Sequence, residues 1–209
     1  MKKIKIVYED RNIIVVNKES GLLTIGTNKE RDRTLYNEVK EYVKKQYPKN
    51  KIFIVHRLDK DTSGLVLFAK SELEKKKWQS IWNEVSRKYY AVVEGKLKNK
   101  QGKIELKLYE TKSLDVVVNN KLGKRCITNY RVIDSNNSYS LLEIDIKTGR
   151  RNQIRASLDY IGHPIIGDKK YNSKKNPLKR LGLHAYLLEY KNKKFEIDMP
   201  KEFNRLLHK

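Results

Sequence analysis

The sequence predicts an α+β fold, a mostly antiparallel mixed β-sheet core with flanking helices. Three observations carry that expectation. From residue 89 to 146 the chain reads mostly as consecutive strands, with apolar and polar residues alternating at period two. Apolar residues at helical spacing appear instead before and after this block, around residues 35–43 and 154–161. No internal repeat and no Pro- or Ser-rich linker breaks the chain, so residues 1–209 read as a single domain. Runs of strands with helices to either side are the pattern of an α+β domain around a mostly antiparallel sheet.

The elements follow in order. Residues 4–8 and 13–17 are β-rich runs, and Asp10-Arg11-Asn12 supplies the turn between them. Residues 21–33, rich in Gly, Thr and charge, read as a loop. Leu35, Val39, Tyr42 and Val43 recur at helical spacing, and Pro48 closes that helix. Residues 52–55 and 65–69 are short apolar runs suited to strands, and the polar residues 56–64 between them read as a connection. Ser71-Glu72-Leu73-Glu74 is a capping box, and the helix it opens carries Trp78, Ile81, Trp82 and Val85 on one side. Inside the strand block, Ile104, Leu106 and Leu108 alternate with polar residues, as do Leu142, Ile144 and Ile146. A helix begins near Asn152 with Ile154, Leu158 and Ile161 facing inward. Residues 183–190 and 194–197 read as closing strands, and the charged stretch 169–180 as a surface insertion.

Composition bounds the function. At 209 residues with 38% hydrophobic content, the chain has enough apolar material for one sizeable core. Lys and Arg total 47 against 25 acidic residues, a formal net charge of +22. Such an excess makes a polyanion the expected partner, nucleic acid first; a background composition rich in Lys and Asn is the plain alternative. The one cysteine, Cys126, excludes an internal disulfide and zinc sites built from several thiolates, and it suits a reducing cytoplasm. No stretch is long enough to span a membrane, and no signal-peptide pattern opens the chain. No Walker loop, dinucleotide fingerprint or zinc-deaminase spacing appears, so neither cofactor nor metal is expected.

Three stretches bear chemistry. His56-Arg57-Leu58-Asp59-Lys60-Asp61-Thr62-Ser63-Gly64 connects two apolar runs, a place where rigid strands often present catalytic groups. The same residue types also build an ordinary turn. In Thr148-Gly149-Arg150-Arg151-Asn152-Gln153-Ile154-Arg155 a strand ends in a Gly turn and a helix starts. Cations at a helix N-terminus oppose the backbone dipole and call for an anion, a carboxylate or a phosphate. For Arg155 alone, a surface pair with Asp159 one turn on is an equal reading. In Arg87-Lys88-Tyr89-Tyr90-Ala91, strand alternation sends the two tyrosines to opposite faces. A tyrosine in a cleft can stack on a base, whereas most strand tyrosines simply pack.

Together these stretches resemble the RluA family of pseudouridine synthases. The family pattern H-R-L-D-x-x-T-S-G-L-x-L-F-A-K is matched from His56 to Lys70, with Val66 at the variable position. The family's T-G-R-x-H-Q-I-R is similar to Thr148 through Arg155, and G-H-P-I-x-G-D-x-x-Y matches Gly162 through Tyr171. The resemblance extends to Leu183-His184-Ala185 and to the opening residues from Tyr8 to Leu22, and so covers nearly the whole chain. Asn152 stands where the family usually has His, a change expected to alter local hydrogen bonding or RNA contacts. Glu19-Ser20 replaces a Pro-containing step before Gly21, a change expected to loosen a loop.

The resemblance implies a pseudouridine synthase catalytic-domain fold without the small N-terminal ribosomal-protein-like domain that many members carry. It implies isomerisation of uridine within rRNA or tRNA: the N1–C1′ bond breaks, the uracil reorients, and C5 joins C1′. It assigns Asp59 as the catalytic carboxylate, Arg155 as its guanidinium partner, and Tyr89 as the aromatic that stacks on uracil. His56, Arg57, Thr62, Arg150, Arg151, Asn152 and Gln153 are expected to bind the RNA around them. The isomerisation is redox-neutral and calls for no cofactor. The expected state is a cytoplasmic monomer with RNA as partner and no obligate protein partner. Two other readings stand beside it, a non-catalytic RNA-binding or ribosome-assembly protein on the same fold, and a nucleic-acid glycosylase.

Overall fold

A computed structural model describes residues 4–27, 30 and 32–208 of the chain; residues 28, 29 and 31 of the expected 21–33 loop lie outside that description. Contacts divide the chain into two compact units, Met1–Val85 with Leu187–Ile197, and Ser86–Tyr186 with Asp198–Lys209.

In the first unit β1 (Ile6–Glu9) and β2 (Ile13–Lys18) form an antiparallel pair. The turn between them is built by Asp10, whose Oδ1 accepts from the backbone N–H groups of Asn12 and Ile13, both at 2.8 Å. β2 pairs in turn with β4 (Ser63–Ala69), and the two-residue β3 (Phe53–Ile54) also pairs with β4. β2 and β4 are buried on both faces, which is why they read as continuous apolar runs rather than alternating ones. Ile13, Val15, Leu65 and Leu67 join Trp78, Val85, Leu188 and Phe195 in one core cluster. Each such side chain contributes roughly 1.5–3 kcal/mol by leaving water.

Helix α1 (Leu35–Gln46) opens where the Thr34 side chain accepts from Asn37 N, and it turns Leu35, Val39 and Val43 inward. It stops as Pro48 forces Tyr47 into extended backbone. Helix α2 (Glu72–Ser80) opens on the Ser71 cap as expected, with Ser71 Oγ accepting from Glu74 N at 3.1 Å. It is shorter than its apolar spacing suggested. Ile81 and the residues after it form turns, yet Ile81, Trp82 and Val85 still pack beside Trp78 in the same cluster. The apolar pattern there records burial, not helix.

In the second unit the strand order is β5-β9-β8-β6-β7, with every ladder antiparallel. The strands are β5 (Ser86–Glu94), β6 (Gln101–Glu110), β7 (Val116–Val118), β8 (Lys124–Ser135) and β9 (Tyr139–Ile146). Ile104, Leu106, Leu108, Leu142, Ile144 and Ile146 line one face and meet Ile154 and Leu158 of α3 (Gln153–Tyr160). On the other face Val92 and Leu141 pack against Phe203 and Leu207 of α4 (Lys201–Leu207). β10 (Leu183–Tyr190) leaves this unit, and its last residues pair with β11 (Lys193–Glu196) in the first. The α+β class holds. Helix α4 and the 3-10 turn Lys169–Tyr171 are elements sequence patterning did not show, being seven and three residues long.

His184 on β10 is buried at 3% exposure. Burial first, and then the Arg180 guanidinium, bring its imidazole from 6.5 down to about 4. The unfolded chain therefore binds a proton that the folded chain refuses between those values, and stability falls as pH drops through that window. The loss approaches about 3 kcal/mol at its acid end. Urea unfolding at pH 7 and pH 4.5 checks this: the parent should lose more stability on acidification than His184→Gln does.

Candidate active site

In the first unit the connection between β3 and β4 has no ladder to satisfy its backbone, so neighbouring side chains must do so. Val55, Leu58 and Thr62 are buried and anchor it, while Arg57 and Lys60 are exposed and Asp59 is half-buried. Thr24 Oγ1 donates to Leu58 O at 2.7 Å and accepts from Leu58 N at 3.2 Å. Lys18, 0% exposed, aims its ammonium at three carbonyls: Leu22 O at 2.7 Å, Lys60 O at 2.8 Å and Glu19 O at 3.0 Å. Gly21 N donates to Lys60 O as well, and Ser20 Oγ donates to Asp61 O at 2.6 Å. Thr62 N donates to Asp59 O at 3.2 Å and closes the turn. Asp59 thus sits between residues whose backbones are tied on both sides. The Ser20 bond thus ties the Glu19-Ser20 step to this connection. His56 faces inward: its Nε2 accepts from Leu67 N at 3.0 Å, and its ring stacks on Trp82 at 4.2 Å.

In the second unit β9 runs into α3 through Thr148 to Asn152. Gln153, 3% exposed, braces this turn. Its Oε1 accepts from Thr148 Oγ1 and Arg150 N, and its Nε2 donates to Ile127 O and Thr128 Oγ1. Asn152 adopts a left-handed conformation, φ 50° and ψ 21°, which asparagine tolerates better than most residues. Its side chain donates from Nδ2 to the Tyr171 hydroxyl at 3.1 Å and accepts from Arg155 Nη1 at 3.2 Å.

The anion that the arginines call for is present twice. Arg155 donates through Nε and Nη2 to both oxygens of Asp168, at 2.6 and 2.8 Å. Arg151 pairs with Glu110. The alternative pairing of Arg155 with Asp159 gives way to the Asp168 fork, and Asp159 accepts from Asn172 instead. Arg150 is exposed.

Tyr89 and Tyr90 on β5 part company as alternation requires. Tyr89 is half-buried against the cluster of Ile144 and Leu142. Tyr90 stacks on Tyr186 at 4.0 Å in the cluster of the opposite face. Arg87, two residues before Tyr89 and so on its face, is buried at 4% exposure. Its Nη1 lies where any Cβ at position 149 would come within 2.7 Å, so Gly149 admits the guanidinium. Lys18, Thr24, Asp168 and Tyr171 are residues that sequence reasoning gave no role. Lys18 and Asp168 carried a signal, a charge at the end of an apolar strand run and an acid inside a matched motif; Thr24 carried none.

Among the described residues no group of three or more His, Cys, Asp or Glu side chains could hold a metal ion, and no helix is long and apolar enough to cross a membrane. The chain matches the family model for RNA pseudouridylate synthases over residues 12–160. It is 37% identical to the ribosomal large subunit pseudouridine synthase D of Borreliella burgdorferi, covering 96% of this chain and 66% of that protein. It is 36% identical to the ribosomal large subunit pseudouridine synthase C of Rickettsia bellii, covering 96% of this chain and 70% of that one. Its fold is similar to human RNA pseudouridylate synthase domain containing 4, with a TM-score of 0.82 at 23% identity over 98% of this chain and 92% of that one.

Replacing Lys18 by Met removes the charged donor to the carbonyls of Glu19 and Leu22, a type of bond worth about 1.5–3 kcal/mol, while Lys60 O keeps Gly21 N. Lys18→Met should therefore unfold at clearly lower urea than the parent. An unchanged midpoint would mean these bonds hold nothing.

Proposed function

This chain belongs to the RNA pseudouridylate synthase family, and from that premise we propose that it isomerises uridine to pseudouridine within ribosomal or transfer RNA. The observation that carries the reading is Asp59, set in an intact family signature on a loop whose backbone is tied on both sides. Asp59 serves as the anionic carboxylate at the reacting sugar or base. Arg155 is the guanidinium that the family pattern assigns to the same reaction. Tyr89 stacks on the uracil, with its hydroxyl near the C5 proton that must leave. Arg57, Arg150 and Arg151 take phosphates. His56, Thr62, Asn152 and Gln153 serve the RNA indirectly, by fixing the two turns that present those arginines.

In a duplex or stacked loop the target uridine must be flipped out to reach the carboxylate. A net charge of +22 supplies phosphate contacts for that, so binding should weaken steeply with salt. The two compact units serve one catalytic domain that acts as a monomer in the cytoplasm, without cofactor. A purely RNA-binding role fits the charge equally well, but it gives no use for a carboxylate that repels phosphate in a rigid basic loop.

Asp59→Asn is nearly isosteric and should fold and bind RNA like the parent while losing isomerisation. Tritium release from RNA carrying [5-³H]uridine, alongside filter binding of the same RNA, checks it. Near-normal release by the folded variant would remove Asp59 from its role.

A further inference from the structure

We propose that Asp168 is a positioning residue for the isomerisation, acting through Arg155; this rests on the reading that Arg155 takes part in the chemistry. Arg155 lies in the first turn of α3, where the helix dipole disfavours a cation. The anion that offsets it comes from thirteen residues further on. Both carboxylate oxygens of Asp168 are used, each by a different edge nitrogen of the guanidinium, so the fork is fixed in its plane. A lysine or a single-point contact would leave that plane free to rotate.

Asp168 is itself held. Its side chain is 1% exposed. Its Oδ1 also accepts from Tyr171 N at 3.3 Å, capping the short 3-10 turn Lys169–Tyr171, and its backbone N–H donates to Ile165 O at 3.1 Å. A carboxylate so enclosed is out of reach of a nucleotide, so any part it plays in catalysis passes through the group it holds.

A second latch acts beside the first. Tyr171 sets its ring 5.0 Å from the Arg155 guanidinium carbon. The Tyr171 hydroxyl accepts from Asn152 Nδ2 and donates to Val116 O. Asn152 Oδ1 accepts from Arg155 Nη1, closing a ring of contacts from strand β7 through the tyrosine to the arginine. The fork fixes the guanidinium in plane, and the ring fixes the face. Asn152, where the family usually has His, fits this latch with one donor and one acceptor, and needs no choice of ring tautomer.

Stability alone gives a weak reason for the arrangement. A buried ion pair often gains little over apolar residues of the same shape, because both charges must leave water. Orientation gives a better one: a misplacement near 1 Å at a reacting centre can cost about 100-fold in rate. Asp168→Asn keeps size and one acceptor oxygen, but turns an amide N–H toward a guanidinium N–H, so the fork must rotate.

The test is a double-mutant cycle of Asp168→Asn with Arg155→Lys, read by steady-state tritium release and thermal melting. Asp168→Asn should lower kcat by about 10–100-fold with KM within about 2-fold. In the Arg155→Lys background, which already lacks the fork, it should lower kcat by less than about 2-fold more, because both changes remove one function. Tyr171→Phe, which keeps the ring and the fork, should give a smaller loss of kcat that likewise vanishes in the Arg155→Lys background. It decides the matter should Asp168→Asn fail to fold. Losses that multiply across the cycle, or a folded Asp168→Asn with parental kcat, would overturn the positioning role. Full activity in Arg155→Lys would instead sink the reading of Arg155 on which it rests.

Discussion

A chain that turns inside a protein must find partners for the carbonyls and N–H groups that a strand ladder would otherwise satisfy. Both connections that carry the candidate chemistry face that constraint, and each meets it with a buried polar side chain of high valence. In the first unit the Lys18 ammonium spends three donors on three carbonyls, one of them the carbonyl beside Asp59. In the second the Gln153 amide ties the Thr148–Arg150 turn to β8. Leu58, Val55 and the fully buried β4 supply the apolar ground on which the first connection rests. A carboxylate held on a fixed backbone has little reorganisation left to make when charge develops nearby, which is where preorganised electrostatics gains its effect.

The electrostatics of the second connection follow from its place at a helix start. Three arginines fall in a region of positive helix potential, and two of them are matched by acids, Glu110 for Arg151 and Asp168 for Arg155. The exposed Arg150 remains suited to a phosphate. Two of the chain's acids set local geometry. Asp168 sits under Arg155, and Asp10 under the β1–β2 turn.

Much of this was legible in the sequence because period and burial coincide there. β6 and β9 alternate cleanly, since one face meets a core and the other water. The capping residues Thr34 and Ser71 mark their helices by a local mechanism. The end of α2 was not legible, because Ile81 and Trp82 continue to be buried after the helix has stopped. The Asp168 fork on Arg155 was not legible either: local spacing offered Asp159 one turn on, and only tertiary structure brings in an acid thirteen residues away. Thr24 bonds a residue thirty-four positions away, and no local pattern announces that. The motif from His56 to Lys70 pointed to the site, but the side chains that hold it rigid lie outside it.

The most direct measurement is nucleoside analysis of unmodified large-subunit ribosomal and transfer RNA transcripts after incubation with the purified protein. RNA digests should show uridine lost and pseudouridine gained in equal amount, at discrete positions, with unchanged RNA mass and no free uracil in the supernatant. Free uracil with abasic RNA would mark a glycosylase, and RNA that is bound but chemically unchanged would mark a binding protein; either result would contradict isomerisation by Asp59.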